Sequence, residues 1–189
     1  MSPQDSPSTK LEQYRPYLRT LARMQIEPKL QSKIDASDIV QQTMIEAHRG
    51  LNNFRGENDC ELGGWLRRIM ARNLADEVRK HRRDKRDAGL EQSMQAALTN
   101  SSMCMERYLA GGISSPDQRA MKNEQLLSLA TAVEALPDDQ RLAVTLHHLQ
   151  GMTAAQIAVQ MGRTEIAVAG LLRRGLKRLR ELMQDKTEE

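Results

Sequence analysis

Aromatic residues are scarce in this sequence, where they occupy 3% of the 189 positions. Strands draw on aromatic and β-branched side chains, whereas the abundant Leu, Ala, Met, Arg and Gln residues favour helices. The composition therefore predicts an all-α protein. With 39% hydrophobic residues, a chain of this length can bury one modest core or two small ones.

The sequence also lacks the usual features of metal sites, secreted proteins and membrane proteins. Cys60 and Cys104 lie far apart, in segments with the composition of loop or linker, and form no Cys/His ligand cluster. His147 and His148 are adjacent, and adjacent side chains on a helix point about 100° apart. We therefore expect free thiols, no metal ion and no other cofactor. No run approaches the roughly 18 apolar residues of a membrane span, and the segment MSPQDSPSTK has no apolar core, so we expect a cytoplasmic protein without membrane insertion.

Enzyme fingerprints are missing as well. The chain contains no G-x-x-x-x-G-K-[ST], H-E-x-x-H, G-x-S-x-G or dinucleotide-binding pattern, and its histidines form no triad that the sequence can identify. We therefore predict no catalytic residues and no enzymatic activity.

Charge is abundant but unevenly distributed. The formal net charge is only +3, yet residues 163–180 carry a net +5 and residues 67–86 a net +6, which leaves −8 on the rest of the chain. Two concentrated cationic patches on a nearly neutral protein are typical of a protein that grips a polyanion at two places. The charge pattern therefore favours nucleic-acid binding.

The segment 151–180 has the pattern of a helix-turn-helix. Thr153 and Gln156 have the spacing of a capping box, Gly162 supplies a turn with positive φ, and Thr164 caps a second helix. The residues expected to face inward recur at helical spacing: Ile157, Ala158 and Met161 in the first helix, and Val168, Leu172, Gly175 and Leu179 in the second. The spacing alone leaves open an ordinary helical hairpin with a solvated basic surface. The concentrated charge favours an arginine-bearing helix that lies against DNA.

Capping and turn signals suggest two small helical domains. We predict disorder in residues 1–10, a first domain in 11–87, a flexible linker in 88–115, a second domain in 116–184 and a tail in 185–189. The first domain should contain a helix from about Leu11 to Gln25, one capped by Ser37 that ends at Gly50, and a basic helix opened by Trp65 that runs to about Arg86. The second domain should begin at Ser115-Pro116-Asp117-Gln118, and a helix after Pro137 should bury Leu142, Leu146 and Leu149. The residues expected to face inward in the other helices are, in chain order, Tyr14, Tyr17, Leu18, Leu21 and Ala22; Val40, Thr43, Met44 and Ala47; Leu66, Ile69, Leu74 and Val78; and Leu126, Leu129, Ala130 and Val133.

Two segments, in this order, resemble a bacterial sigma factor of the extracytoplasmic-function class, a sigma-70 type protein with only two conserved domains. The first comprises DIVQQTMIEAHRGLNNFRG and WLRRIMARNLADEVRKHRR, and the second is ALPDDQRLAVTLHHLQGMTAAQIAVQMGRTEIAVAGLLRRGLKRLREL. The resemblance covers most of residues 11 to 184. It implies that the first domain docks on core RNA polymerase and melts the downstream promoter element, and that the second reads the upstream element. Many relatives are held by an anti-sigma factor, and the resemblance leaves such a partner open.

By the same resemblance, one helix contacts polymerase through Asp38, Gln41, Gln42 and Glu46, although each could instead belong to a solvated helix face. The loop 53–63 corresponds to the segment that captures a flipped promoter base. Phe54 and Arg55 are the flat side chains of this loop on which such a base could stack. Phe54 and Trp65 could equally be core residues, and core is favoured for Trp65.

The residues assigned to DNA in the first domain are Asn53, Phe54, Arg55, Arg68, Arg72, Asn73, Asp76, Arg79, Lys80 and Arg83. Those assigned in the second domain are Arg163, Thr164, Glu165, Ala169, Arg173, Arg174 and Lys177. The spacing of Asp76 from its basic neighbours lets it order Arg72, Arg79 and Lys80 on the helix, as readily as touch DNA.

One departure from the family lies in the middle of the recognition helix. Relatives often have cationic or hydroxyl residues where this chain has Ala169, Gly170 and Leu171. Apolar contacts with thymine methyl groups, phosphate contacts or readout of DNA shape are then favoured over long base-reading side chains, and Leu171 could instead contact a protein. The competing function is a helix-turn-helix regulator that binds duplex DNA without joining polymerase.

Overall fold

A computed structural model describes residues 7–30, 32–56, 58–81, 89–109 and 119–184. These ranges contain nine α-helices and no strand, which confirms the all-α prediction. The helices are α1 (Pro7–Gln13), α2 (Arg15–Gln25), α3 (Ala36–Gly50), α4 (Asp59–His81), α5 (Leu90–Leu109), α6 (Arg119–Glu134), α7 (Asp138–Val144), α8 (Ala154–Met161) and α9 (Glu165–Gln184). Short 3-10 turns span Pro28–Leu30 and Leu51–Asn53, and a π-helical turn, Thr145–Leu149, continues α7.

The helix expected from Leu11 to Gln25 begins earlier, at Pro7, so residues 7–10 are helical rather than disordered as predicted, and it is interrupted at Tyr14. Pro16 has no N–H to donate to the carbonyl of Glu12, so α1 ends and α2 starts with the proline in its first turn. The apolar side of the pair is nevertheless as expected, since Tyr17 and Leu18 are fully buried.

The third helix begins slightly earlier than the sequence indicates. Its N-cap is Asp35 rather than Ser37, because the Asp35 carboxylate accepts a hydrogen bond from the Ser37 N–H at 2.7 Å. The predicted inward residues are all buried, and they are Val40, Thr43, Met44 and Ala47.

The fourth helix starts six residues before Trp65. The Asn58 side chain accepts from the Glu61 N–H at 3.0 Å, and this cap places Cys60 in the first turn of α4 rather than in a loop. The predicted inward residues of α4 are buried, namely Leu66, Ile69, Leu74 and Val78. The expected continuation to Arg86 lies outside the described residues.

The expected flexible linker 88–115 contains a helix, which corrects that part of the prediction. Leu98 and Met105 of α5 are fully buried, and the Ser102 hydroxyl accepts from the Tyr17 hydroxyl at 2.9 Å. The buried stripe of α5 mixes Leu and Met with two serines, so its hydrophobic periodicity is weak in sequence although its packing is helical. Cys104 therefore lies on a helix, while the starting signal at 115–118 lies outside the described residues.

The prediction for the helix after Pro137 is wrong at one residue. Leu126, Leu129, Ala130 and Val133 of α6 are buried as predicted, and so are Leu146 and Leu149, but Leu142 is 37% exposed. After Leu142 the helix continues into a π-type turn, in which the Gln150 N–H donates to the Thr145 carbonyl.

The two helical halves share one continuous core. Helix α6 packs on α2, α4 and α5, and the buried residues from Leu11 to Leu179 form a single cluster. Polar contacts accompany this packing: the Asn123 side chain donates to the Tyr14 hydroxyl at 3.0 Å, and Arg23 forms an ion pair with Glu134. The half containing α3 and α4 and the half containing α8 and α9 are therefore in direct contact through α2 and α6.

Candidate nucleic-acid interface

Helices α8 and α9 form the helix-turn-helix that the sequence predicts. The capping box is complete, since the Gln156 N–H donates to the Thr153 hydroxyl at 3.3 Å and the Thr153 N–H donates to the Gln156 side chain at 2.9 Å. Gly162 ends α8 with φ of 62°, and the Ala167 N–H donates to the Thr164 hydroxyl at 3.2 Å.

A small core fixes α9 against α7 and α8. Ile157 and Val168 are fully buried, and Gly175 lies so close to α7 that a Cβ atom there would come 2.8 Å from a Val144 methyl carbon. Leu171 is only 8% exposed, so its side chain has little surface left for the protein contact that the sequence leaves open.

The outward face of α9 carries cations without acidic partners. Arg173, Arg174 and Lys177 are exposed and make no ion pair with any residue that the structure describes, and Ala169 is exposed beside them. Arg163 differs, because it contacts Asp139 at 2.5 Å. The free cations and the helix they lie on form a surface suited to DNA phosphates and base edges.

Three of the four residues assigned to polymerase, Asp38, Gln42 and Glu46, line one side of a cleft between α3 and α4, and Gln41 lies outside its lining. Asp38, Gln41 and Gln42 are exposed, and the Gln41 carbonyl oxygen accepts from Arg15 at 2.9 Å. Glu46 is less accessible: it accepts from Gln42 at 2.8 Å and forms an ion pair with Arg72 of α4.

The same cleft brings together several residues assigned to DNA. It has a volume of about 700 Å³, and its lining includes Asp38, Gln42, Glu46, Asn73, Asp76, Arg79 and Lys80. The residues assigned to polymerase on α3 and those assigned to DNA on α4 therefore lie side by side on one surface. The sequence of either helix alone does not indicate this.

The cations of α4 are mostly paired. Asp76 contacts Arg79 at 2.7 Å, but Arg72 pairs with Glu46 and Lys80 pairs with Glu77, so the predicted ordering by Asp76 holds for one of its three cations. The hydrogen bond from Lys80 lowers the pKa of the Glu77 carboxyl and raises that of the lysine.

The remaining members of the α4 group occupy different environments. Arg68 is exposed, the Asn73 amide donates to the Thr43 hydroxyl at 3.2 Å, and Arg83 lies outside the described residues. Arg67, which the sequence does not single out, donates to the Tyr17 hydroxyl at 2.6 Å inside the fold. Burial raises the pKa of that hydroxyl.

The loop before α4 has an exposed arginine, Arg55, next to Phe54, whose ring packs against Trp65. The rings of Phe54 and Trp65 have centroids 5.0 Å apart with planes tilted by 32°, and both residues are half-buried against the core. A Cβ at Gly56 would come 2.1 Å from the Phe54 ring, so that ring also lies over the glycine. Trp65 is thus partly core, as favoured, and the exposed plane in this loop is Arg55, next to exposed Asn53.

The described residues offer no group of three or more His, Cys, Asp or Glu side chains that could hold a metal ion. His147 and His148 have ring centroids 4.7 Å apart, and His147 Nδ1 lies 2.7 Å from the Met152 carbonyl oxygen. None of the described helices has the length and apolar character needed to cross a membrane.

Comparisons with known proteins match both halves of the chain. A family model described as Sigma-70 region 2 matches residues 11–84, and one described as Sigma-70, region 4 matches residues 126–179. The ECF RNA polymerase sigma-E factor of Salmonella typhimurium is 28% identical over 158 residues, which cover 82% of this chain and 74% of that protein. The RNA polymerase sigma-H factor of Pseudomonas aeruginosa is 26% identical over 127 residues, or 67% of this chain and 62% of that protein.

The comparison with solved structures includes a match that covers most of the chain. It is the sigma factor RpoE in complex with the anti-sigma factor NepR from Bartonella quintana, with 22% identity over 92% of this chain and 94% of that chain and a TM-score of 0.35. Because region 2 and region 4 are both matched, in that order along one chain, this protein belongs to the sigma-70 family, in the extracytoplasmic-function class of sigma factors.

Proposed function

We propose that this chain binds core RNA polymerase and directs it to promoters, with α3 as the docking helix, α4 beside melted DNA and α9 on the upstream duplex element. One observation carries the proposal. The exposed face of the second helix of a helix-turn-helix has three cations, Arg173, Arg174 and Lys177, with no acidic partner in the described ranges. These cations can contact DNA phosphates directly, because no ion pair within the protein has to break first.

The docking role rests on the exposed polar side of α3. Asp38, Gln41 and Gln42 are exposed, whereas Val40 and Met44 of the same helix are buried, so a partner can reach the three polar residues without opening the core. Arg15 holds Gln41 in place through a hydrogen bond at 2.9 Å. A preorganised polar face of this kind suits a specific protein contact.

The single-strand role rests on α4 and the loop before it. Arg68 and Arg55 are exposed, and the half-buried pair of Phe54 and Trp65 forms an aromatic wall next to Arg55. Cations that follow a backbone beside flat groups on which bases stack are the usual components of a single-strand surface.

The first experiment separates docking from DNA binding. Asp38→Ala with Gln41→Ala should weaken the binding of purified core polymerase in a pull-down, whereas the variant should keep the salt dependence of DNA binding. The matched control is Glu91→Ala with Gln92→Ala, an exposed acid and amide on α5. Full polymerase affinity and full run-off transcription in the docking variant would refute the assignment of α3.

The second experiment tests α9 by titration at several salt concentrations. Arg173→Ala with Arg174→Ala should leave polymerase binding intact and reduce the slope of log affinity against log salt by about 1 for each of the two arginines that contacts phosphate, since each lost phosphate contact removes a released counterion. The control, Arg107→Ala with Lys122→Ala, removes the same charge from α5 and α6. Equal losses in both variants would indicate a general charge effect and would refute the α9 assignment.

The competing function, a helix-turn-helix regulator that acts without polymerase, leaves the α3–α4 surface without a purpose. A wild-type chain that never binds core polymerase would favour that regulator. The proposed role needs no catalytic group and no cofactor, and it places the protein in the cytoplasm with polymerase and promoter DNA. An anti-sigma partner would be recognised as a protein that lowers transcription by the reconstituted holoenzyme.

A further inference from the structure

The outward face of α9 is divided into two chemically different parts. Six residues share this face, at helical offsets of 0, 3, 4, 7, 8 and 11: Ile166, Ala169, Gly170, Arg173, Arg174 and Lys177. On this face, the first two turns of α9 carry apolar side chains or, at Gly170, no side chain, and the following turns carry cations. The apolar part lies at the end of the helix that enters the major groove first in helix-turn-helix complexes.

Ile166 is exposed for no reason that the fold supplies. Its exposure is 86%, whereas Val168, two residues later, is fully buried and packs against α8. Thr164 provides the cap, and Leu171 on the same helix is only 8% exposed. Isoleucine also has a lower helix propensity than leucine, lysine or glutamate, so neither packing nor helix formation accounts for it.

Arg174 extends over the bare position on the same face. A Cβ at Gly170 would lie 3.3 Å from Arg174 Nη1 and 3.8 Å from Nη2. Long helical side chains run back towards the N-terminus, so the guanidinium lies about one turn before its own Cα. A cation therefore occupies the middle of α9 although the local sequence is Ala-Gly-Leu.

We propose that Ile166 contacts the C5-methyl group of a thymine in the upstream promoter element, and that Arg174, lying over Gly170, reads a nearby guanine. This inference rests on the proposed function, in which α9 binds duplex DNA. Apolar side chains recognise the thymine methyl group, and a guanidinium donates to guanine O6 and N7. The Arg174 guanidinium lies over Gly170, which follows Ile166 by four residues, a rise of about 6 Å, so the two bases lie within about two base-pair steps of each other.

The unpaired cations of α9 indicate which kind of macromolecule binds its apolar N-terminal end. An apolar protein surface placed on Ile166 would also cover Arg173 and Arg174, which bring no acidic partner of their own from the described chain. A polyanion with methyl groups in its groove satisfies both parts of the face at once. DNA is therefore favoured over a protein partner.

The test uses the full chain in reconstituted holoenzyme and promoter duplexes chosen by transcription from a library with a randomised upstream element. In the chosen duplex, each thymine is replaced singly by uracil, which lacks only the methyl group, and each guanine by 7-deazaguanine, which lacks N7. Uracil at one position should weaken wild-type binding about fourfold, which corresponds to ~0.8 kcal/mol for one buried methyl-sized group. Ile166→Ala should lose this sensitivity at that position alone.

Two further variants test whether the base preferences depend on Ile166 and Arg174 themselves. Val159→Ala is the matched control, because Val159 is 85% exposed on α8 and lies off the α9 face, and it should keep the thymine preference. Arg174→Lys retains the charge but not the planar fork, so it should keep the salt slope and lose the sensitivity to 7-deazaguanine.

The outcomes separate this inference from the function on which it rests. Wild-type binding that is insensitive to uracil at every position would overturn the inference, while a flattened salt slope in Arg173→Ala with Arg174→Ala would leave the proposed function intact. Failure of all α9 variants to change DNA binding would overturn both. If Ile166→Ala keeps the full thymine pattern but weakens binding of purified core polymerase, the contact is with protein and the inference is wrong.

Discussion

Glu134 offers the sharpest test of how the two halves of the protein are joined. Its side chain is 11% exposed at the end of α6 and forms ion pairs with Arg23 and Arg19 of α2, the latter at 3.5 Å. The Thr20 hydroxyl lies 3.4 Å from the same carboxylate. We predict that Glu134→Gln, which keeps the shape and removes the charge, destabilises the fold by weakening the α2–α6 contact.

The expected magnitude follows from the exposure of the partners. Removing one member of a fully buried ion pair costs about 3–5 kcal/mol, and an exposed pair contributes about 0–1 kcal/mol. The carboxylate is nearly buried, but the Arg19 and Arg23 side chains are 32% and 36% exposed and can recover water. An intermediate loss of about 2 kcal/mol is therefore expected, which for a chain of this size lowers Tm by about 4–8 °C.

The measurement is urea unfolding of the single and double variants. A cycle with Arg23→Ala isolates the pair, and a coupling free energy near 1–2 kcal/mol is expected, because Arg19 and Thr20 still contact the carboxylate. Glu124→Gln, at an exposed position of the same helix, is the matched control and should change stability by less than about 0.5 kcal/mol. Equal stability of Glu134→Gln and Glu124→Gln would refute the assignment of the α2–α6 contact to this ion pair.

Three other predictions follow from the packing. Gly175→Ala should destabilise the protein by about 1–3 kcal/mol in thermal unfolding, because its Cβ meets Val144, whereas Gly170→Ala meets only a movable arginine and should not. Replacing Cys60 and Cys104 by Ser should leave Tm and promoter-directed transcription nearly unchanged, and bound zinc at one equivalent would contradict this. Burial lowers the pKa of His148 from its usual value of 6.5, so the unfolded state binds the proton more tightly. Stability should therefore fall as the pH is lowered through about 6.5, and it should fall less in His148→Phe.

The sequence was most informative where capping and periodicity agreed. Thr153, Gln156 and Gly162 predicted α8 and its turn because each satisfies backbone groups locally, without help from distant residues. The cap at Thr164 was likewise confirmed. Local signals of this kind are fully contained in a few consecutive residues, which is why they could be recognised without the structure.

Tertiary packing explains what the sequence did not indicate. The stripe of α5 includes Ser101 and Ser102, whose hydroxyls are satisfied by Gln25 and Tyr17 of α2, so a polar-looking segment is buried. Leu142 is exposed although it lies one helical turn before buried Leu146, so its place in the periodic pattern does not decide its burial. Both outcomes depend on tertiary partners that no local pattern specifies.

Charge composition located the two cationic helices, but their pairing could not be derived from it. On α4, Arg72, Arg79 and Lys80 each have a carboxylate partner, so contact with a phosphate there must replace an existing ion pair. On α9, Arg173, Arg174 and Lys177 have none in the described ranges and can contact phosphate directly. Because Arg72 is paired with Glu46, one of the residues assigned to polymerase, a polymerase group that takes the Glu46 carboxylate would release Arg72 towards DNA. Under the proposed function, polymerase binding and DNA binding at α4 would therefore strengthen each other, whereas binding by α9 would not depend on that exchange.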